Sequence, residues 1–347
     1  MKLELLIKNF KSIKEIKAEL AEVNILIGPP NAGKSNILEA IHLYGIPARA
    51  NFIGSEYVKY FDFKVIRGFE TNNFSIFRDN DYSNIIELKI GNKDLLRISY
   101  SKDKNNIIFN DDVSLERITT ELTILYRYEN FIKNFRGEKY KYGYFNKFLL
   151  PNFGNLETIL ARNVKNIIKK INNNIKKYNV LIAKYGTSND KALIFTYTGS
   201  ETPIIYPIPI DEIENIAQSI QYFILFSTAL YSLENFGEVI RDEDINIVAL
   251  FEEPDAHMFP ILIEEFIDIL KEVEHLNVII TTHNPHTLIR SIDKIPKDKI
   301  KTFVVHREEG YTNMTEIDID KLRDIYIEVG DTEIIRNIEN YMKELKK

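Results

Sequence analysis

The chain begins with alternating apolar and polar residues, and a short continuous apolar run follows. Residues 2–7 alternate as a half-buried strand does, and Val23–Ile27 is an uninterrupted apolar run, typical of a strand buried on both faces. Residues 35–44 have helical spacing, and the helix-ending residues Gly45 and Pro47 follow them. The pattern predicts a strand, a glycine-containing loop and a helix in succession.

The C-terminal third repeats this alternation of apolar strands with helices. Strands are predicted over residues 245–251 and 278–282, and an amphipathic helix over 261–273 lies between them. A hairpin over residues 301–306 and 315–319 follows, and the chain ends in a charged helical pattern. Because strands and helices alternate near both ends, we predict one α/β core assembled from the two ends of the chain.

The middle of the chain has a different pattern. Residues 60–110 read as twisted antiparallel strands, residues 114–184 as mostly helical, and residues 210–233 as a strongly apolar helix. The predicted fold class is α/β, with a mixed sheet flanked by helices and a helical lid or insertion. The predicted domains are an N-terminal lobe over 1–112, the helical insertion over 113–235 and a C-terminal lobe over 236–347.

The composition is that of an ordinary globular protein, with 44% hydrophobic and 28% charged residues. The chain has no cysteine, so disulfides and cysteine-ligated metals are excluded. We find no secretory pattern at the N-terminus and no apolar run long enough to span a bilayer. We therefore expect a cytoplasmic protein with no membrane partner.

The loop between the first buried strand and the first helix carries a complete phosphate-binding motif. It reads Gly28-Pro29-Pro30-Asn31-Ala32-Gly33-Lys34-Ser35, and Asn36 follows it. This sequence fits the pattern Gly-x-x-x-x-Gly-Lys-Ser/Thr without departure. The glycines let backbone N–H groups converge on phosphate oxygens, the lysine neutralises β- and γ-phosphates, and the serine hydroxyl binds Mg²⁺. The loop predicts binding of a nucleoside triphosphate with Mg²⁺.

Two carboxylates and a histidine follow two later strands. Glu252 and Glu253 end the strand at 245–251, and His283 ends the next strand, thirty residues after Glu253. Ligands of open α/β sheets bind at this edge, where Glu252 can hold Mg²⁺ and Glu253 can orient or deprotonate the attacking water. The spacing places His283 beside Glu253, within reach of a γ-phosphate. Taken singly, the acidic pair also fits a solvated loop, and the histidine also fits a structural role.

Taken together, these motifs resemble the ABC-type ATPase heads of the SMC, RecF and OLD-like families. The segments that carry the resemblance are residues 9–12 (Asn-Phe-Lys-Ser), 28–36, 252–257 (Glu-Glu-Pro-Asp-Ala-His), 281–285 (Thr-Thr-His-Asn-Pro) and 150–156. The resemblance implies an ATPase in which two heads sandwich two nucleotides. It implies that Lys34 and Ser35 bind ATP, that Glu253 is the catalytic base and His283 the switch histidine, and that Asp255 lies in a loop crossing the dimer interface.

Two departures from the family pattern bear on turnover. The best match to the signature motif, over residues 216–221, has alanine in place of serine, and Ser219 in place of glycine, although Ser219 still offers a hydroxyl. The chain has only two glutamines, Gln218 and Gln221, so none lies in the lobe after the phosphate loop. Either another residue substitutes for this glutamine or hydrolysis is slow, and a non-hydrolysing nucleotide switch that regulates a partner protein stays open. A transporter ATPase subunit fits less well, because no coupling loop is recognisable.

Residues 131–185 contain twelve Lys or Arg and two acidic residues, in a chain whose net charge is −6. Positive side chains interleaved with aromatic ones suit phosphates and unpaired bases of DNA or RNA. A solvated helical face or a surface for an acidic partner protein explains the pattern equally well. The candidate nucleic-acid residues are Lys139, Lys141, Arg162, Lys169, Lys170, Lys176 and Lys177.

The resemblance also bears on partners. OLD-family proteins carry a C-terminal TOPRIM nuclease domain, whereas only 64 residues follow His283 here, and they begin as a continuation of the ATPase sheet. We therefore expect any nuclease or effector served by this head to be a separate chain. The head itself is expected to form a homodimer that depends on ATP.

Overall fold

The structure is a computed structural model, and it describes residues 3–55, 66, 73–91, 95–101, 106–109, 121–127, 145, 147–151, 153, 155–162, 167–185, 191–197, 205–209, 213, 215–241 and 245–324. The chain divides into two compact units. Unit 1 comprises Met1–Leu125, Glu243–Glu253 and Leu276–Lys347, and unit 2 comprises Tyr126–Asp242 and Pro254–His275. The domain boundaries predicted after residues 112 and 235 stay predictions, and the predicted C-terminal charged helix lies outside the described residues from position 325 onward.

Most of the described strands lie in unit 1. They are β1 (Leu3–Phe10), β2 (Ile13–Leu20), β3 (Val23–Ile27), β4 (Ile86–Ile90), β5 (Leu96–Ser101), β6 (Asn106–Phe109), β7 (Glu121–Arg127), β8 (Val180–Tyr185), β9 (Lys191–Tyr197), β10 (Ile205–Pro209), β11 (Asn246–Glu252), β12 (Leu276–Thr282), β13 (Ile300–Glu308) and β14 (Tyr311–Ile317). The helices are α1 (Lys34–Tyr44), α2 (Ile46–Phe52), α3 (Leu156–Arg162), α4 (Ile167–Ile175), α5 (Gln218–Val239), α6 (Pro260–Glu272) and α7 (Pro285–Lys294).

A six-stranded sheet in the order β14-β13-β3-β12-β11-β7 forms the centre of unit 1. Its strands β13, β3, β12 and β11 are parallel, and β14 is antiparallel to β13. The register pairs Thr282 with Ile27, Val304 with Ile27, and Glu252 with Thr281. The four parallel strands therefore end at one edge, as predicted from the order of the motifs. The segments that follow β3, β11 and β12 are those with the candidate chemistry.

Helix α1 begins within the predicted phosphate loop, residues 28–35, and packs between two sheets. A second, antiparallel sheet in the order β2-β1-β4-β5-β6 lies on one side of it, and α1 contacts β1 and β4 there and β11 and β12 on the other side. Residues 37–44 of the helix are all buried, including the polar Glu39 and His42. Because the helix is enclosed on two sides, the loop at its N-terminus is held in a fixed position relative to the parallel strands.

Unit 2 combines helices α3 to α6 with a small antiparallel sheet in the order β10-β9-β8. Its core element is α5, which is buried continuously from Ile220 to Gly237. Helix α6 packs against α5, and α4 packs against both α5 and β8. The buried Asn155 organises the segment before α3, since its amide bonds Leu150 N, Phe145 O and Phe148 O at 2.9, 2.8 and 2.8 Å.

The prediction of a mostly helical stretch over residues 114–184 is wrong for β7 and β8. All seven residues of β7 are buried, so this strand shows no polar alternation. A short apolar run of this kind does not distinguish a strand buried on both faces from a buried helix. Helices α3 and α4 do lie in the stretch. In the described part of the chain, we find no helix that is both long and apolar enough to cross a membrane.

Candidate functional site

The phosphate loop joins the carboxyl end of β3 to the N-terminus of α1, and backbone geometry explains its two glycines. Gly33 has φ of 102°, and a Cβ there would lie 2.0 Å from Thr312 Oγ1. A Cβ at Gly28 would lie 2.0 Å from the carbonyl oxygen of Val305. Asn31 also has positive φ, at 62°. The loop is therefore a tight turn in which side chains at both glycine positions are excluded by the β13–β14 hairpin.

Lys34 is folded back across the mouth of this loop. Its side chain is buried, and Nζ donates hydrogen bonds to the carbonyl oxygens of Gly28 at 2.9 Å and Pro29 at 3.1 Å. Burial lowers the pKa of Lys34 to about 8, and the nearby carboxylates of Glu253 and Glu252 oppose that change. The ammonium is protonated at neutral pH, and its present partners are neutral carbonyls that an anionic ligand can replace.

Ser35 and Glu252 face each other across the sheet edge. The hydroxyl of Ser35, in the first turn of α1, donates a hydrogen bond to Oε1 of Glu252, at the end of β11. A hydroxyl and a carboxylate this close offer two oxygens to one cation. Both are oxygen ligands of the type that Mg²⁺ prefers.

Glu253 is held in an unusual backbone conformation directly after β11. Its φ is 47°, and its N–H lies 3.1 Å from the carbonyl oxygen and 3.2 Å from Oγ1 of Thr281. Positive φ is uncommon for a residue with a side chain, and it costs about 1 kcal/mol or more. The bonds to Thr281 offset that cost, and the conformation turns the Glu253 carboxylate toward the next strand.

His283 connects this carboxylate to the phosphate loop. Its Nε2 lies 2.9 Å from Oε1 of Glu253, and its Nδ1 lies 3.4 Å from Nζ of Lys34. An ammonium group can only donate hydrogen bonds, so Nδ1 of His283 is the acceptor from Lys34. Nε2 then carries the ring hydrogen and donates a hydrogen bond to Oε1 of Glu253. The structure thus joins three predicted site residues, Lys34, His283 and Glu253, in one hydrogen-bonded chain.

The position of His283 is fixed by the start of α7. Asn284 caps this helix, its Oδ1 accepting a hydrogen bond from the N–H of His286 at 3.0 Å. The N–H of Asn284 donates to Oγ1 of Thr282 at 2.8 Å. Since bonds on both sides constrain the turn, the imidazole has little freedom to leave the sheet edge.

The remaining predicted loop residues lie at the outer wall of the site. Pro29 is half-buried, Pro30 and Asn31 are exposed, and Ala32 is buried with its N–H 3.3 Å from the carbonyl oxygen of Pro29. Asn36 turns away from the loop mouth, and its amide donates to Oγ of Ser12 at 2.7 Å. The role of these residues in nucleotide binding stays a prediction, and the structure gives Asn36 a partner in the β1–β2 turn.

Both predicted dimer-interface residues lie in unit 2. Ser219 occupies the first turn of α5, and its Oγ accepts a hydrogen bond from the N–H of Phe259 at 2.6 Å. The helix begins at Gln218, eight residues later than predicted, after Ala217. Asp255 is buried, and its carbonyl oxygen accepts a hydrogen bond from the N–H of Met258. Their proposed role across a dimer stays a prediction.

The basic residues predicted to contact nucleic acid are only partly described. Lys139 and Lys141 lie outside the described residues, as does the side chain of Arg162 at the end of α3. The others are exposed lysines of unit 2, Lys169, Lys170, Lys176 and Lys177. Two of these have acidic partners within the unit, since Lys170 pairs with Glu234 at 3.3 Å and Lys177 pairs with Glu265.

The sequence motifs assign no role to three residues of the site, although one of them, Thr281, lies within the motif over residues 281–285. Thr281 supports the backbone of Glu253 from the neighbouring strand. Arg307 and Thr312 bond the carbonyl oxygens of Asn31 and Ala32 at 3.0 and 2.9 Å. The predicted hairpin strands, 301–306 and 315–319, stop short of both hairpin residues. Only the three-dimensional pairing of β13 with β14 brings them to the loop.

Comparison with solved structures places the fold among SMC head domains. An SMC head bound to the C-terminal winged-helix domain of ScpA matches with a TM-score of 0.55 and 15% identity, over 93% of this chain and 98% of that one. An SMC head with an extended coiled coil, bound to the C-terminal domain of ScpA derived from Pyrococcus furiosus, matches with a TM-score of 0.51 and 13% identity. That match covers 94% of this chain and 98% of the other. The chain therefore has an SMC-head-like α/β fold, in agreement with the predicted class.

Comparison of the sequence with known proteins gives one partial match. No protein-family model matches the chain. A Methanocaldococcus jannaschii protein described as "Uncharacterized protein MJECL10" is 32% identical over 114 residues, which is 32% of this chain and 50% of that protein. The chain thus matches about half the length of this curated relative.

Proposed function

We propose that the protein is a Mg²⁺-dependent ATPase of the ABC type that binds ATP at residues 28–35. The observation that carries the proposal is the hydrogen-bonded chain from Lys34 through His283 to Glu253, at the edge where the parallel strands end. A nucleotide-binding loop alone explains Lys34. It does not explain a carboxylate held at positive φ and bonded to a histidine that also reaches this lysine.

The residues around the loop fit a magnesium nucleotide. Lys34 would exchange the carbonyls of Gly28 and Pro29 for β- and γ-phosphate oxygens, which are stronger partners because they carry charge. Ser35 and Glu252 would hold Mg²⁺, which neutralises developing phosphate charge. Among the described residues, no group of three or more His, Cys, Asp or Glu is placed to hold a metal ion. Mg²⁺ usually takes one or two carboxylates together with phosphates and water.

Glu253 is the residue placed to accept the proton of the attacking water. Its carboxylate is about two-fifths exposed, so water reaches it, and His283 Nε2 donates to one of its oxygens. That bond orients the carboxylate. Because His283 also lies beside Lys34, its side chain adjoins the part of the loop that would receive the γ-phosphate.

The output of the cycle is proposed to be closure of two heads around two nucleotides. Ser219 and Asp255 would then face the partner head, and a nucleic acid or a protein would be controlled by the closure. The two SMC heads with a similar fold are bound to ScpA domains, which supports a protein partner. For nucleic acid, Lys170 and Lys177 already pair with carboxylates, so Lys169 and Lys176 are the first candidates among the described residues.

The test is ATP hydrolysis by the purified chain, measured alone and with single- and double-stranded DNA. Turnover that requires Mg²⁺ and disappears in Glu253→Gln supports the ATPase, and stimulation by DNA would assign the basic lysines a function. A non-hydrolysing nucleotide switch is the second candidate. It is favoured by the absence of glutamine in the lobe that directly follows the phosphate loop and by the Ser219 hydroxyl, which already accepts a hydrogen bond from the N–H of Phe259. Tight ATP binding without turnover under every condition would select it.

A further inference from the structure

The β13–β14 hairpin touches the phosphate loop at two successive carbonyl groups. Arg307 Nε donates to the carbonyl oxygen of Asn31 at 3.0 Å, and Thr312 Oγ1 donates to the carbonyl oxygen of Ala32 at 2.9 Å. Arg307 and Thr312 are direct cross-strand partners in this hairpin. One cross-strand residue pair of the hairpin therefore bonds two adjacent peptide groups of the loop.

We propose that Arg307 and Thr312 are positioning residues for the proposed nucleotide, and that they act by orienting the peptide groups of the phosphate loop. In a trans peptide the C=O and the following N–H point in opposite directions. Bonds that hold the carbonyls of Asn31 and Ala32 toward the hairpin thus direct the N–H groups of Ala32 and Gly33 away from it. The N–H of Ala32 lies 3.3 Å from the carbonyl oxygen of Pro29, a neutral partner that a phosphate oxygen can replace. Preorganised N–H groups bind phosphate oxygens without a further ordering cost.

Thr312 is itself held by a chain of side chains. Its single hydroxyl hydrogen goes to Ala32, so its oxygen accepts from Oγ of Ser12, 2.7 Å away. Ser12 Oγ in turn accepts from the amide of Asn36 at 2.7 Å. The N–H of Thr312 also donates to the carbonyl oxygen of Ser12 at 2.8 Å. The hydroxyl of Thr312 is therefore fixed as the donor to the carbonyl oxygen of Ala32, and its orientation is set by these neighbours.

Packing at the two motif glycines supports the same assignment. Cβ atoms at Gly28 and Gly33 would each lie 2.0 Å from the hairpin, from Val305 O and Thr312 Oγ1 respectively. The hairpin thus fits closely against both ends of the loop. Thr312 is fully buried at this contact, whereas Arg307 is exposed, so substitution of Arg307 tests the idea without disturbing the core.

The inference rests on the proposed function, but hydrogen exchange of the loop amides is measured without nucleotide and therefore does not depend on that function. The experiment compares wild type, Thr312→Val, Thr312→Ser, Arg307→Gln and the control Arg323→Gln. Like Arg307, Arg323 bonds a backbone carbonyl of unit 1, that of Ile292, and it also bonds the carboxylate of Asp293. Hydrogen exchange of the loop amides is measured on the nucleotide-free protein, and ATP affinity is measured by calorimetry with Mg²⁺.

We expect faster loop exchange and about tenfold weaker ATP binding in Thr312→Val, corresponding to one lost hydrogen bond. Arg307→Gln should change both readouts in the same direction, while Thr312→Ser and Arg323→Gln stay close to wild type. Faster exchange with unchanged ATP affinity would limit the hairpin to a structural role and contradict the proposal. Unchanged exchange in Arg307→Gln and in folded Thr312→Val would contradict it whether or not ATP binds. If the wild-type protein did not bind ATP, that result would instead count against the proposed function.

Discussion

Nε2 of His283 lies 2.9 Å from Oε1 of Glu253, although the two residues belong to different strand ends. The contact follows from the register of β11 and β12, in which Glu252 pairs with Thr281, so the chain leaves the sheet at nearly the same level on both strands. Thr281 then fixes the backbone of Glu253, and the cap of α7 fixes His283. Parallel pairing of two short segments, together with Thr281 and the cap of α7, therefore brings a carboxylate and an imidazole into contact.

Replacing Glu253 with glutamine should separate nucleotide binding from turnover. The amide keeps the size of the side chain but cannot accept a proton, so hydrolysis should fall about 100-fold or more. ATP should then remain bound, and the ATP-bound dimer should accumulate and be detectable by light scattering. Glu274→Gln, at a largely exposed carboxylate of unit 2, is the matched control and should hydrolyse ATP as wild type does. Normal turnover in Glu253→Gln would remove Glu253 from the reaction.

Replacing Glu252 with glutamine should change the magnesium requirement. The carboxylate shares a hydrogen bond with Ser35, and loss of its charge should raise the half-saturating Mg²⁺ concentration about tenfold. The measurement is ATP hydrolysis against Mg²⁺ at saturating ATP. If the Mg²⁺ dependence of the variant matched that of wild type, the cation would not lie at Glu252.

Alanine at Gly33 should abolish ATP binding and destabilise the fold. A Cβ there meets Thr312 Oγ1 at 2.0 Å, in addition to the strain of φ at 102°. Gly54 separates the two effects, because its φ is 117° and nothing lies within 4 Å of its Cβ position. Urea unfolding should show a loss of about 1 kcal/mol for Gly54→Ala and a larger loss for Gly33→Ala. Equal losses in the two variants would mean that the hairpin yields easily at Thr312.

Alanine at Asn155 should destabilise the protein without touching the proposed site. The buried amide makes three hydrogen bonds to backbone groups, and their loss should cost about 3 kcal/mol in urea unfolding. Asn173→Ala, at an exposed position of α4 in the same unit, should be close to neutral. A small effect at Asn155 would show that water replaces these bonds after substitution.

The sequence was most informative where chemistry and backbone geometry require particular residues. The predicted phosphate loop has glycine at residues 28 and 33, where a Cβ would lie 2.0 Å from Val305 O and from Thr312 Oγ1 respectively. Glu252, Glu253 and His283 were placed at one sheet edge because parallel strands end together. The fold class followed from the same alternation of strands and helices.

Sequence reasoning failed where the pattern is ambiguous or the contact is long-range. β7 was predicted as part of a helical stretch, because a short run buried on both faces has no period that separates strand from helix. Arg307 and Thr312 were missed because their contacts join positions about 280 residues apart, through a hairpin longer than predicted. Neither residue type carries a motif that indicates such a contact.

The central claim is that ATP binds at the phosphate loop, and the most direct test is calorimetric titration of wild type and Lys34→Ala with ATP and Mg²⁺. Lys297→Ala, at an exposed lysine paired with Asp320, is the control for loss of a lysine from the same unit. We predict saturable binding by wild type and Lys297→Ala, and affinity lower by about 100-fold in Lys34→Ala, since charge-assisted bonds to phosphate are lost. Binding by Lys34→Ala equal to that of wild type would contradict the account.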